Sequence, residues 1–442
     1  MKLIAVSLAL FFLYACSFDN KTGIWKNSKD SSSASDPDLF DDFKPLISNE
    51  DTFDKIIPIK KGYRFKTPKK IINKEWQDIY YNDENNFDNF TLNREKNLKF
   101  KSKKISKNKI NEFFLYHKDS LIFNDQKGNI IIFSIKENKV LNRFNFYKKR
   151  YRKIKKNLNL TLSEDTIYVT DNIGFVYAYD FIKNKIIWAK NNKIPFRSNL
   201  KIFKDKLIAA DQNNNVYILN KKNGNTIKLI PTEDTQIKNS YKNNFSLNKN
   251  NIFLLNTYGS LYAIDSKSNE VSWVLNLNQS IDMNPRSLFN GNQLVNNNEV
   301  VVVTSHEATY IIDAFTGTLI HKFNIISKIK PLIVNNHLFI ISENNLLICL
   351  DIFAGQVVYS YNINQKIAEF LEIKEKEANF KSIMIANDRI IILLKNSYFL
   401  EANINGNLES VFKFKNKINS NLIFLDSSIL YLNRKNRVVI IG

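Results

Sequence analysis

The sequence predicts an all-β protein, an eight-bladed β-propeller of four-stranded antiparallel blades. Three observations carry this expectation. A hairpin phrase recurs every 38 to 52 residues, a turn residue keeps a constant offset within it, and the last unit lacks a strand.

The phrase is clearest in "GFVYAYDFIKNKIIWAKN", residues 174–191. It reads as a strand, a tight turn and a second strand. The residue that closes the strand before the turn is Ser134, Asp180, Asn220, Asp265, Asp313, Asp351 and Asn403 in successive units, at spacings of 46, 40, 45, 48, 38 and 52. A period of about 40–50 residues with short strands is the mark of a propeller. Four residues after the first six anchors stand Asn138, Asn184, Gly224, Asn269, Gly317 and Gly355, and the last unit reaches Gly406 one residue early. Only Gly and Asn enter the left-handed backbone region cheaply. An Asp or Asn anchor can bond its own turn through its side chain. Trp188 and Trp273 each fall eight residues after an anchor, and repetition at one offset reads as packing between blades.

Upstream of each phrase lies a second hairpin, as in "TIYVTDNIGFVYAYD" and "NIFLLNTYGSLYAID". Strands of about five residues between Asn-, Asp- and Gly-rich turns, with little helical periodicity after residue 110, argue for all-β structure. The C-terminal "SILYLNRKNRVVIIG" stops after one hairpin. An N-terminal strand would complete that blade and leave no long open sheet edge. Ile71–Tyr81, "IINKEWQDIYY", is the segment expected to do so, with Trp76 in the place of Trp188 and Trp273.

Lys2 precedes the apolar run "LIAVSLALFFLY", residues 3–14. The run is shorter than the roughly 20 residues that a membrane span needs, and suits a signal peptide. It ends in "LYAC", which resembles a bacterial lipobox. That resemblance implies cleavage before Cys16 and acylation of its thiol. Ser17 in the next position implies sorting to the outer membrane. Polar residues such as "NSKDSSSASDPD" follow. The expected organisation is a leader over 1–15, a flexible tether over 16–60 and the propeller over 61–442.

The net charge of +21 is spread along a chain rich in Lys, Asn and Ile, and no nucleic-acid module is recognisable. The clusters at 99–109 and 147–156 read as solvated loops, or as surfaces that approach anionic lipid head groups. Cys349, in "NLLICLD", reads as a buried thiol, so the mature chain has no structural disulfide. His117, His306, His321 and His337 fall in separate units without metal-ligand spacing, and no GxSxG, HExxH or phosphate loop occurs. No metal, cofactor or catalytic residue is expected.

The phrase GxVYAxDxxxGxxxW resembles the propeller repeat shared by the PQQ-dependent dehydrogenases and the BamB lipoproteins of outer-membrane β-barrel assembly. The lipobox and the blade count favour the BamB side. That resemblance implies a non-catalytic scaffold on the periplasmic face of a Gram-negative outer membrane, held there by its lipid. It implies BamA and other BAM components as partners and unfolded outer-membrane proteins as clients. It also implies a partner site at "KIPFRSN", where Phe196 and Arg197 look like the counterpart of a Leu-Arg that the family carries in a loop near a Pro, with apolar Ile194 and Pro195 before them. An aromatic beside an arginine suits an interface; the structural alternative places Phe196 in the core. The acidic pair that the family carries nearby has no counterpart at Ser240–Lys242. The dehydrogenase alternative would imply PQQ, a carboxylate-held calcium ion and often a vicinal cysteine pair, which one mature cysteine cannot supply. A propeller with another protein or polysaccharide partner is the remaining alternative.

Overall fold

The computed structural model describes residues 52–234, 241–278 and 289–442, together with the backbone of two short strands, Cys16–Phe18 and Trp25–Asn27. The leader and most of the tether lie outside the described residues. The chain divides into two units, Met1–Asp51 and Thr52–Gly442. In the first, Cys16 faces Asn27 in an antiparallel pair. The second is the propeller.

Eight four-stranded antiparallel sheets follow one another. Blade 1 is Leu115–His117, Ser120–Asn124, Asn129–Ser134 and Lys139–Asn145, from the innermost strand outward. Six more blades repeat this order. Blade 8 consists of Ile423–Leu425, Ser428–Leu432, Val438–Ile441 and, outermost, Leu98–Lys101. The ring is thus closed by an N-terminal strand, as expected, but Ile71–Tyr81 is not that strand. Leu98 pairs with Ile441 instead.

The sequence pattern explains the layers. The two middle strands of each blade are apolar on both faces because a neighbouring blade covers each face. Val300–Thr304 and His337–Ile341 are buried throughout. The outermost strands cover only one face, and Lys139–Asn145 and Lys185–Asn191 alternate accordingly. Each anchor closes the third strand, at Ser134, Asp180, Asn220, Asp265, Asp313, Asp351 and Asn403. The residues four positions on from the first six anchors have φ between 51° and 77°, and in the last unit Gly406, three positions on, has φ 87°. Asp313 Oδ1 accepts from Phe315 N and Thr316 N, and Asp351 Oδ1 from Phe353 N and Ala354 N. Asp180 and Asp265 do the same in their turns. The ladder to the outermost strand slips one or two residues before each anchor, between Ala178 and Tyr179 and at the matching place in blades 1 and 3 to 7. Such bulges sharpen the twist that lets neighbouring blades nest.

Two elements depart from the repeat. A helix, α1 (Ile363–Leu371), sits between blades 6 and 7, capped by the Asn362 side chain, which accepts from Asn364 N and Gln365 N. Residues 52–93 form the other. They begin among blades 5 and 6, where Phe53 N donates to Asn324 O and Ile57 bridges Ser360. Residues 52–60, expected in the tether, are therefore part of the body. Tyr63 Oη then meets His337 Nε2 at 2.7 Å, and Phe65 packs against Phe339 and Tyr359.

From residue 73 the chain circles the inner rim, meeting the blades in order. Asp426 N of blade 8 donates to Asn73 O, and Trp76 N to Tyr116 O of blade 1. Leu162 N of blade 2 donates to Gln77 O. Asp78 pairs with Lys201 of blade 3 at 2.9 Å. Leu247 N of blade 4 donates to Asp83 O, and Asn296 N of blade 5 to Glu84 O. Asn86 Nδ2 donates to Ile333 O of blade 6, and Phe90 N to Ile385 O of blade 7. Trp76 is thus a hub residue packed on Tyr81 and Phe90, not a counterpart of Trp188.

Candidate interaction face and central channel

Strand alternation gives the disc two distinct faces. First-to-second and third-to-fourth turns emerge on one. Second-to-third turns and the connections between blades emerge on the other. The hub segment meets the innermost strands towards their C-terminal ends, so it closes the channel at the first face. At the connection face, no segment among the described residues runs across the inner strands as the hub does.

The sequence-derived partner site lies on the connection face, between blades 2 and 3. Its backbone is pinned throughout. Phe196 N donates to Asp171 O, Arg197 N to Ala210 O, Gln212 N to Pro195 O and Asn243 N to Arg197 O. Phe196 does not face solvent. It is 2% exposed, with the Tyr217 ring 5.5 Å away. The bridge between Phe196 and Asp211 turns the ring inward. Ile194, Pro195 and Arg197 are half-buried. Partial burial pulls the Arg197 guanidinium below its usual value. On the next connection the structure brings in Glu233, which sequence reasoning missed. Burial works to raise its carboxyl pKa, but bonds from Tyr262, Ser260 and Asn256 hold it below the usual value. Nothing in the local sequence marks that convergence, since its three partners arrive from blade 4.

Inside the mouth lies a cavity of about 290 Å³. Trp76, Tyr80 and Phe87 of the hub form part of its wall, and Glu112, Lys328 and Lys381 stand around it. Lys381 lies 3.5 Å from Glu112, and desolvation still lowers its pKa. A calcium-held quinone needs several convergent carboxylates. Glu112 is the only carboxylate in this lining, and it is paired. Among the described residues no three His, Cys, Asp or Glu side chains gather to hold a metal. The donor set does not fit that cofactor.

The histidines are distributed differently from expectation, since His306 and His321 both belong to blade 5, one in its second-to-third turn and one in its outermost strand. Cys349 is buried in blade 6, and burial pushes its thiol pKa far up. Trp188 and Trp273 lie against the turn glycines of the following blades, Gly224 and Gly317.

These features define a PQQ-like eight-bladed propeller. Over blades 1 to 5 the chain is similar to one family: the family model described as outer membrane protein assembly factor BamB matches residues 116–323. BamB from Moraxella catarrhalis superposes with a TM-score of 0.60 at 12% identity, over 78% of this chain and 99% of that one. A quinohemoprotein alcohol dehydrogenase from Comamonas testosteroni gives 0.60 at 9% identity, over 83% and 80%. A europium-containing methanol dehydrogenase gives 0.58 at 10%, over 83% and 89%. At these identities the likeness is one of fold. No curated protein matches by sequence.

Proposed function

We propose that this protein is a non-catalytic scaffold of the outer-membrane β-barrel assembly machinery. In this reading Cys16 carries the lipid that holds it to the periplasmic face of the outer membrane. The propeller binds the periplasmic part of the barrel-insertion protein, BamA, and helps deliver unfolded outer-membrane proteins. The observation that carries the reading is the match of blades 1 to 5 to the BamB model. The lipobox and the poor fit of the channel to a calcium-held quinone support it.

The blade 2–3 connection is the proposed contact. Phe196 acts there as a buried brace, while Ile194, Pro195 and Arg197 offer the surface. A rigid, pre-ordered loop loses little entropy on binding. A detergent pull-down from the native membrane, comparing wild type with Arg197→Glu, tests both parts. BamA with wild type and not with the variant supports function and site. BamA with both moves the site. BamA with neither removes the function, and a different co-purifying protein would point to the alternative periplasmic partner.

A further inference from the structure

The fold gathers charge that the sequence spreads out. On the connection face, around blades 7, 8, 1 and 2, the loops are hydrogen-bonded into one continuous strip. Arg434 N donates to Lys417 O, and Asn436 Nδ2 to Ser106 O and Asn108 O. Gln126 N donates to Lys109 O, and Lys156 N to Gln126 O. Within the strip, residues 101–109 hold five lysines, residues 148–156 seven basic side chains and residues 434–437 three. None of these stretches contains Asp or Glu. Almost all of the basic side chains are exposed, Lys156 being buried and Arg437 half-buried.

The exposed Glu372, Glu375 and Glu377 stand on the same face beyond the strip, in the connection from blade 6 to blade 7, and the three carboxylates within it do not offset its charge. Asp125 is fully buried and caps its own turn through Lys127 N and Asn129 N. Asp171 is buried and accepts from Tyr147 Oη at 2.5 Å. Glu112 is paired with Lys381. The 148–156 loop is also held firmly. Lys156 donates to Tyr151 O from beneath, and the Tyr147 bond fixes its base. The loop displays Ile154, 44% exposed, among its lysines and arginines. The opposite face carries the exposed hub carboxylates Asp83 and Asp88.

We propose that this strip docks the propeller, connection face first, on an anionic lipid bilayer. Headgroup phosphates would neutralise the basic side chains of several loop tips at once, with Ile154 entering the interface. A basic side chain near such a surface contributes about 1 kcal/mol, and the attraction decays within a Debye length. A nucleic acid is the poorer occupant. The Tyr151 ring is already covered by the Arg150 guanidinium at 4.6 Å, and an exposed isoleucine gains nothing against phosphates. The proposal needs no partner protein and stands apart from the assembly reading.

The test uses the full chain carrying Cys16→Ser, so that no acyl chain contributes. It is sedimented with vesicles of phosphatidylcholine alone or mixed with phosphatidylglycerol. Binding is expected on the anionic vesicles and should fall steeply with salt. Reversing Lys149, Arg150, Arg152 and Lys153 to Glu should weaken it by about tenfold or more. Reversing Lys183, Lys185, Lys222 and Lys267, on the opposite face, should leave most of it. Thermal melts establish that each variant folds. Equal binding to both vesicle types would assign it to the N-terminal apolar run and overturn the proposal. So would anionic binding that survives the first reversal, equal loss in both reversals, or binding to a short RNA duplex with none to vesicles.

Discussion

The indole of Trp188 covers Gly224 so closely that a Cβ on the glycine would lie 2.4 Å from Cε3. The ring nitrogen donates to Lys221 O at 3.0 Å. The relationship recurs in three other pairs of neighbouring blades. The residue eight after one anchor sits on the residue four after the next. Trp273 covers Gly317 and His321 covers Gly355 in the same way. Where the next turn uses Asn, the partner is polar, as with Asn142, which donates to Asn184 Oδ1.

Gly224→Ala should therefore destabilise the propeller on two counts, a φ of +71° and the collision with Trp188. The expected cost is about 2–4 kcal/mol. Gly62→Ala is the matched control, with φ +84° and nothing within 4 Å, and should cost only about 1 kcal/mol. Denaturant midpoints of the two variants compare the terms directly.

The hub is fastened to blade 3 by Asp78 and Lys201, the lysine fully buried and also bonded to Asn82 O. Asp78→Asn leaves that ammonium buried without its counter-ion and should cost about 3–5 kcal/mol. Asp78→Leu combined with Lys201→Met should recover part of the loss. Hydrogen exchange at residues 77–92 should quicken in the single variant first.

Burial, with Lys201 nearby, lowers the Lys330 pKa to about 7, while Asp78 opposes the shift. Its ammonium lies 3.9 Å from the Phe87 ring centre. Between this folded value and the usual lysine value near 10.4, the unfolded chain binds more protons, so stability rises with pH. Below about 7 the full penalty is present and constant. From pH 7 to pH 9 the gain should be about 1–2 kcal/mol, and Lys330→Met should abolish that slope in pH-dependent melts.

Deleting Met1–Asp51 should leave the propeller melt unchanged, since the body begins at Thr52. Starting the chain at Arg94 keeps the closing strand Leu98–Lys101 but strips the hub. Inner-strand groups such as Leu162 N and Asn296 N then lose their partners. Light scattering and a collapsed melting transition should separate this truncation from the first.

The ring was legible because each blade restates its neighbours. Asp180, Asp265, Asp313 and Asp351 stand at one offset from a left-handed turn residue, so one reading checks another. The hub segment has no second copy. It is held by single bridges and side-chain bonds, which leave no periodicity. Trp76 lies in a short alternating run that resembles a strand, and the eight-residue offset drew it towards the wrong blade. Helix α1 left one trace, the long interval of 52 residues between Asp351 and Asn403. Phe196 and Arg197 are adjacent, so alternation permits either to face out. The Asp211 bridge decides it, and no local pattern encodes that bridge.

The hub also sets the order of assembly. Residues 73–90 leave the ribosome before any blade they touch, and their partners run to Asp426. Loops hundreds of residues long must close before those contacts form, and such high contact order makes folding slow. This early-made segment is satisfied only when the last blade is in place. Until blade 8 is complete, its exposed apolar surface is open to aggregation or to capture by a chaperone.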